Sequence, residues 1–430
     1  MKKFKRFIAL GGAIAVAAGS FALSACGGES ETQKFINESQ EATASATYNS
    51  AAVTGTIDMS GTSPLNEAGA TRLSIDLDGL LDIKTFDMDL NAGIEGEDGP
   101  EYGYIFMRDM QVFPSADTYA QVPADFSQVT LVPSFNELAN GSIGTVGSAG
   151  AMPVAFSTDS VFALATLAES YSAVTLSDDS LTLNIVSLMS AMYDDVLTMI
   201  NSLTDETTIS DIYANNLFVN TFNAANIVVS AEQLYTLVNL VIFSLSQDGA
   251  TGTVQPPAFT LPEPEEGQSL YDYIGSLLGN EDLAALAGID TPVGELKIVD
   301  LINLLAGSSG VPVTAEQFKE ALLAELNAVI SFENGFTLTV AEGVYASITN
   351  MTVTYGFDGE GVLTSSAAKF AFAFVDGEDE YSASFDLTAN YSAESVTLRD
   401  INSNPLSYNG QLTTVREYRN SLNSDVSVTG

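Results

Sequence analysis

The sequence predicts an α+β fold in which strands from both ends of the chain form one curved antiparallel sheet, half-open and barrel-like, packed by a helical middle segment. Apolar and polar residues alternate at period two over 46–131 and again over 332–430, which is typical of strands with one buried face. Between 132 and 331 apolar residues instead recur every three or four positions, which is typical of helices. We therefore expect a single body over 46–430, with an extended Pro-rich connector at 254–267.

The first strand region contains two apolar series that differ in phase. Residues 73–77 alternate apolar and polar, and a later series runs through Phe86, Met88 and Leu90. The one-residue change of phase predicts a β-bulge near Lys84, and bulges bend sheets. This region also has the spacing of a calcium loop, starting at Asp87, but an alanine stands where such a loop requires glycine. We interpret the acids as the polar face of a strand and predict no metal site.

The helical middle contains two clear helix signals. Thr314 followed by Gln317 resembles a capping box and predicts a helix that runs through Ile330. A longer amphipathic helix is indicated by apolar residues at helical spacing, namely Leu181, Ile185, Leu188, Met192, Val196 and Ile200.

The last strand region is the clearest part of the pattern. Apolar and polar residues alternate without interruption from Tyr381 to Ser392. The preceding strand places phenylalanine at 370, 372 and 374 and alanine at 371 and 373, so it is apolar on both faces. A strand of this kind is expected to be covered on both faces, with the large aromatic residues lining a concavity.

The N-terminus has the layout of a secretory signal peptide over residues 1–25. Four basic residues precede an apolar, Ala- and Gly-rich run from Phe7 to Leu23. The segment Leu23-Ser24-Ala25-Cys26 then resembles the lipobox of bacterial lipoproteins. In that family, Cys26 would carry diacylglycerol and the chain would be cut before it. The alternatives are an ordinary signal peptide with an incidental cysteine, or a buried core thiol.

The resemblance implies that the protein is anchored to the bacterial cell membrane on its extracytoplasmic face. Two acyl chains together give stable anchoring, at about 0.8 kcal/mol per buried methylene. Cys26 is the single cysteine of the 430 residues, so an intramolecular disulfide is impossible. Residues 26–45 are polar and bear Gly and Ser, and they are expected to form a flexible tether.

The charge balance is strongly acidic. The chain has 14 basic and 55 acidic residues; four of the basic ones lie in residues 1–25, which contain no acid, so the remainder has 10 basic against 55 acidic, a net charge of −45. No Lys or Arg occurs between Arg108 and Lys297. Nucleic acid is excluded as a partner because phosphate binding depends on clustered basic residues. We interpret the acidity as a means of solubility rather than as a site for a specific cation.

Composition also argues against an enzyme. The sequence has no histidine, so imidazole bases and imidazole metal ligands are excluded, and its one cysteine is assigned to the anchor. It has no nucleophile elbow, phosphate-binding loop or dinucleotide fingerprint. Carboxylate pairs remain available, but no pair stands out among so many acids. We predict a protein without enzymatic activity and without a cofactor.

The order of these segments resembles that of the LolA-type and LppX-type carrier lipoproteins. The segments that carry the resemblance are the lipobox, the tether, the strand-like stretches 46–60 and 103–123, and the closing strands after a helical middle. The resemblance implies a half-open barrel plugged by helices, which holds a lipid or another amphiphile. On this hypothesis the candidate ligand-binding residues are Phe86, Met88, Phe370, Phe372, Phe374 and Phe385. The alternative is that these residues belong to an ordinary core.

Two other function classes remain open. One is a structural or adhesive envelope lipoprotein without a small-molecule ligand, which a measured cavity would distinguish from a carrier. The other is the solute-binding lipoprotein of an ABC importer. Importer proteins alternate strands and helices in two lobes, whereas strands here cluster at the two ends of the chain. The identity of a ligand and the oligomeric state do not follow from the sequence.

Overall fold

A computed structural model describes residues 30–62, 70–96, 99–108, 111–133, 158–245, 261–286, 290–306 and 313–424. Cys26 and the signal peptide lie outside these ranges, so the anchor stays a prediction. Residue contacts divide the chain into two compact units, whereas the sequence led us to expect one body. The described residues of the helical unit fall in 30–37, 158–175 and 183–338, and those of the sheet unit in 38–133, 176–182 and 339–424. Each unit is described by itself.

The described strands are numbered in chain order. They are β1 (Ser50–Thr62), β2 (Ala70–Asp82), β3 (Met88–Gly96), β4 (Gly99–Arg108), β5 (Gln111–Pro114), β6 (Val174–Ser177), β7 (Ser180–Asn184), β8 (Ile330–Ser331), β9 (Phe336–Ala341), β10 (Val344–Phe357), β11 (Leu363–Asp376), β12 (Asp379–Ser392), β13 (Pro405–Tyr408) and β14 (Gln411–Thr414).

The described helices are numbered in the same way. They are α1 (Glu31–Thr43), α2 (Asp159–Ser170), α3 (Ile185–Ser202), α4 (Ile209–Tyr213), α5 (Asn216–Val228), α6 (Ala231–Leu245), α7 (Leu270–Leu278), α8 (Glu281–Leu286), α9 (Ile298–Ala306), α10 (Ala315–Val329) and α11 (Val415–Ser424). Within the described part of the chain, no helix is both long enough and apolar enough to cross a membrane.

The α+β class and the shared antiparallel sheet are confirmed. Strands from the two ends of the chain meet where β1 pairs with β12, from Ser50 opposite Ser392 to Gly61 opposite Tyr381. The twelve-stranded sheet has the order β5-β4-β3-β2-β1-β12-β11-β10-β7-β6, with β8 and β9 joined to it through β10. The runs β1 to β5 and β10 to β12 are meanders, as predicted, because strands that follow one another in the sequence pair antiparallel. Among the described strands the order is open, with β5 and β6 at its ends.

The predicted β-bulge near Lys84 is wrong, because a tight turn connects β2 and β3 at this point. The Asp82 carboxylate accepts the backbone N–H groups of Lys84 (2.9 Å) and Thr85 (3.2 Å), as in other Asx turns. The turn residue Phe86 has a left-handed backbone with φ 57°. A turn changes the apolar phase just as a bulge does, so the sequence pattern could not separate them.

The predicted flexible tether is wrong over residues 31–43, which form helix α1. Ser30 caps this helix by accepting the N–H of Gln33 at 2.9 Å. Ile36 is fully buried, and the Thr43 hydroxyl accepts the backbone N–H of Leu363 at 3.1 Å. The sequence favours a tether here because the segment is mostly polar. Its few buried positions form only a narrow stripe along the helix, which is a weak helix signal.

The helical unit confirms one helix prediction and corrects another. Thr314 and Gln317 form the capping box of α10, which ends at Val329. The amphipathic helix α3 begins at Ile185, because Asn184 caps it by accepting the N–H of Ser187. Leu181 lies instead on β7, where it is fully buried. A core of this unit packs α3 and α5 against α10 through Val196, Ile200, Leu217, Leu322, Leu323 and Leu326.

The Pro-rich connector is described in part. Residues 261–267 belong to neither a helix nor a strand, and 254–260 lie outside the described ranges.

The end of the sheet unit departs from the predicted run of strands. Residues 415–424 form helix α11 after the short hairpin of β13 and β14. This C-terminal segment packs on β4 and β5 and shares their aromatic core. The buried members of that core are Tyr104, Phe106, Phe113, Val129, Leu131, Ile401, Leu406, Val415 and Tyr418. The short helix was missed because its amphipathic pattern covers less than three turns.

Candidate functional site

Four of the six candidate binding residues meet on one face of the sheet unit. Phe370, Phe372 and Phe374 project from β11, and Phe385 projects from the neighbouring strand β12. The ring centre of Phe370 lies 5.5 Å from that of Phe372 and 6.0 Å from that of Phe385. Phe372 and Phe385 are stacked, with ring centres 6.2 Å apart and an interplanar angle of 13°. We call these four side chains the phenylalanine face.

Strand register places further apolar side chains beside the phenylalanine face. Ile57 of β1 stands opposite Phe385, and Met59 is two residues farther along the same face. On the other side, Ile348 and Met351 of β10 stand opposite Phe372 and Phe370. At the upper end, Tyr381 lies 6.5 Å from Phe374 between ring centres. The alternation in the sequence predicted which face of the sheet each residue occupies. The residues beside it on the adjacent strands are known only from the register of strand pairing.

The phenylalanine face is accessible in part, whereas the sequence predicted cover on both faces of β11. Each of the four phenylalanines is half-buried, and Met59 is 37% exposed. On the opposite face, Ala371 and Ala373 line a shallow cavity of about 470 Å³ together with hydroxyl groups and Asp58. The small side chains leave space there that is not filled by a helix among the described residues of the sheet unit. The four rings therefore form an apolar surface rather than a closed core.

Tyrosine side chains lie on the same sheet face, at the end away from the β11–β12 turn. The Tyr391 ring packs edge-on against Tyr48 at 5.5 Å, and its hydroxyl lies 2.8 Å from that of Ser366. Tyr355 is 7% exposed, and its burial, with a smaller contribution from Tyr391, raises its pKa to about 12. Burial also raises the pKa of Tyr391. The phenol groups of Tyr355 and Tyr391 stay neutral at physiological pH, so they add no charge to this face.

The other two candidate residues lie elsewhere on the sheet. Met88 is paired with Leu81, which stands opposite Ala51 of β1. Ala51 is six residues from Ile57, the β1 residue opposite Phe385, which is about 20 Å along the strand at 3.3 Å per residue. Phe86 lies in the turn just before Met88. The register thus separates Phe86 and Met88 from the phenylalanine face.

The sheet unit also contains a buried ion cluster that the sequence did not reveal. Asp89 on β3 is 3% exposed and forms a salt bridge with Arg108 of β4, which is 7% exposed. The second carboxylate oxygen of Asp89 accepts the backbone N–H of Arg399 at 2.7 Å. Arg108 in turn donates to the carbonyl oxygens of Met88 and Arg399, each at 2.9 Å. The cluster joins the C-terminal segment to β3 and β4.

Arg399 adds an aromatic contact to the ion cluster. Its guanidinium carbon lies 5.2 Å from the ring centre of Tyr104, 5.6 Å from that of Phe106 and 5.1 Å from that of Phe126. Cations are attracted to the faces of aromatic rings at this range. We assign the cluster a structural role, because the carboxylate of Asp89 and the rings already satisfy both guanidinium groups. A weak signal was available in the sequence, since arginine is rare in this chain.

The phenylalanine face offers aromatic and aliphatic surface and no ionisable group among its four members. Over the described ranges, no group of three or more His, Cys, Asp or Glu side chains is placed to hold a metal ion.

Comparisons with known proteins give no match: no protein-family model, no curated protein and no solved structure is significantly similar to this chain. The resemblance to carrier lipoproteins therefore stays a prediction.

Proposed function

We propose that this chain is an exported lipoprotein, anchored through diacylglycerol on Cys26, that binds an apolar or amphiphilic ligand without enzymatic activity. The observation that carries the proposal is the phenylalanine face, in which the rings of Phe370, Phe372 and Phe385 contact one another and all four side chains are half-buried. Each large aromatic side chain can bury on the order of 150–250 Å². Exposing an apolar surface of this kind to water costs free energy. A bound ligand that covered the rings would remove that cost.

In this proposal the sheet curves as the wall of a half-open barrel, and the ligand lies along β11 and β12. Ile57 and Met59 flank the rings on one side, and Ile348 and Met351 flank them on the other. Methionine side chains adapt to ligands of varied shape, which suits an acyl chain. The antiparallel pairing of the strands gives no support to the importer alternative, since importer proteins are built from parallel lobes.

The test is the substitution Phe372→Ala in the full chain carrying Cys26→Ser, so that no attached acyl chain competes with the probe. The wild-type face is expected to bind a fluorescent fatty-acyl probe, and Phe372→Ala is expected to weaken that binding several-fold. Because Phe372 is half-buried, its replacement should lower the thermal midpoint less than the replacement of a buried phenylalanine.

The matched control is Phe113→Ala, since Phe113 is fully buried in the aromatic core of the C-terminal segment. This variant is expected to lose about 3–5 kcal/mol of unfolding free energy while its folded fraction keeps the affinity for the probe. Absence of probe binding by the parent chain, or equal loss of affinity in both variants, would contradict the proposed function.

A further inference from the structure

Carboxylates gather at the hairpin tips where the phenylalanine face ends. The tip of the β11–β12 hairpin carries Asp376, Glu378 and Asp379, all exposed, within five residues of Phe374. The backbone N–H of Gly377 in this turn donates to the carbonyl oxygen of Gly343 in the β9–β10 turn at 2.9 Å. The contact places Glu342, which is also exposed, beside the other acids. The two turns together form what we call the acidic rim.

The two hairpin tips that form the acidic rim contain no Lys or Arg in their sequence. The sequence contains no Lys or Arg from 370 to 398, and none from 320 to 368. Lys369 lies on the opposite face of β11, where its ammonium group pairs with Asp386 at 2.7 Å. Two adjacent hairpins therefore present negative charge at the end of an apolar surface.

The distances suit a molecule with two ends of different character. Asp376 is two residues beyond Phe374, or about 7 Å at 3.3 Å per residue. The run from Phe370 to Asp376 covers about 20 Å by the same measure. Phe374 is the member of the phenylalanine face nearest the rim, and the ring centre of Tyr381 lies 6.5 Å from that of Phe374. Aromatic faces attract cations, and quaternary ammonium groups above all.

From this placement we propose that the ligand is a cationic amphiphile, with an apolar chain on the phenylalanine face and an amine or quaternary ammonium head at the acidic rim. The inference rests on the proposed function and specifies the ligand class. An anionic amphiphile such as a free fatty acid would meet repulsion at the rim, although its chain would fit the same rings. Charge complementarity thus selects the head group, and the phenylalanine face binds the chain.

The experiment compares dodecyltrimethylammonium with dodecanoate, which share a twelve-carbon chain length and differ in head-group charge. Calorimetric titrations use the full chain carrying Cys26→Ser, below the micelle concentration of each probe. At low salt the cation is expected to bind about tenfold more tightly than the anion, because several carboxylates act within about 10 Å of its head. The preference should shrink at high ionic strength, where screening shortens the range of charge interactions.

Substitutions at the acidic rim test whether its carboxylates cause the preference for the cationic probe. Asp376→Asn, Glu378→Gln and Glu342→Gln in one chain should remove most of the preference for the cation and leave dodecanoate binding equal or tighter. The matched control neutralises three exposed acids of the helical unit, Glu263, Glu265 and Glu266, by substitution with glutamine. It changes the net charge by the same amount and should change the preference less than twofold.

The outcomes separate the two proposals. Equal affinity for the two probes, or equal loss of preference in the rim and control variants, overturns the cationic head group and leaves the proposed function intact. If neither probe binds, both proposals fail together. Selective loss of cation binding in the rim variant supports both.

Discussion

At the scale of single residues, the sheet unit depends on Asp89. Its carboxylate is 3% exposed and contacts the Arg108 guanidinium and the backbone N–H of Arg399. Burial of a carboxylate costs free energy unless polar partners replace its lost hydration, and here two arginines and a backbone amide do so. The phenylalanine face has no such network, since its members need no polar partner. In the proposed function, the ion cluster stabilises the sheet unit and the phenylalanine face binds the ligand.

The substitution Asp89→Asn tests the structural role. It keeps the size of the side chain but leaves the buried Arg108 without a counter-charge, so we expect a loss of about 3–5 kcal/mol of unfolding free energy in a denaturant titration. The control is Asp386→Asn in the exposed Lys369 pair, where the side chains are 59% and 48% exposed; it should cost less than about 1 kcal/mol. A similar small loss in both variants would argue against a structural ion cluster.

At the scale of the elements, β2 and β3 approach each other most closely at Gly79. A Cβ atom added at this position would collide with the backbone carbonyl group of Asp89 on the neighbouring strand. Glycine thus permits the approach that places Asp89 in its buried position. β2 pairs along its length with β1, and β1 pairs in turn with β12, the strand that contains Phe385 of the phenylalanine face.

Gly79→Ala is therefore expected to destabilise the sheet by about 1–3 kcal/mol, because backbone atoms must move to admit the methyl group. Gly93→Ala on β3 is the matched control, since the nearest heavy atom to its added Cβ lies 3.8 Å away. The control should be neutral or slightly stabilising, because alanine reduces the freedom of the unfolded chain. Thermal unfolding of the two variants gives the comparison, and equal midpoints would show that the strands adjust freely at Gly79.

At the scale of the whole molecule, the predicted anchor decides where the apolar surface operates. A lipobox that ends at Cys26 would attach the chain to the membrane by two acyl chains. Because α1 already begins at Glu31, the tether available from Cys26 is short, with about four residues before the helix. A short tether would keep the helix close to the membrane surface, where amphiphiles are concentrated.

Cys26→Ser is expected to abolish incorporation of a labelled fatty acid and to leave an uncut precursor on a gel. Lipidation needs the thiol as nucleophile, and cleavage follows lipidation in this class of signal peptide. Ser24→Ala keeps a small side chain before the cysteine and should be labelled and cut like the parent chain. Label on the serine variant would contradict the lipobox interpretation.

The sequence by itself determined the features that depend on neighbours within one turn or one strand. The alternation from Tyr381 to Ser392 and the capping box at Thr314 are of this kind, and both are confirmed because period and capping are local properties. The tertiary structure alone decided which residues meet. Asp89 and Arg399 are 310 positions apart, and Met88 shares a face with Phe385 yet lies about 20 Å along the sheet from it. Register and burial depend on contacts between distant strands, and a one-dimensional pattern does not specify them.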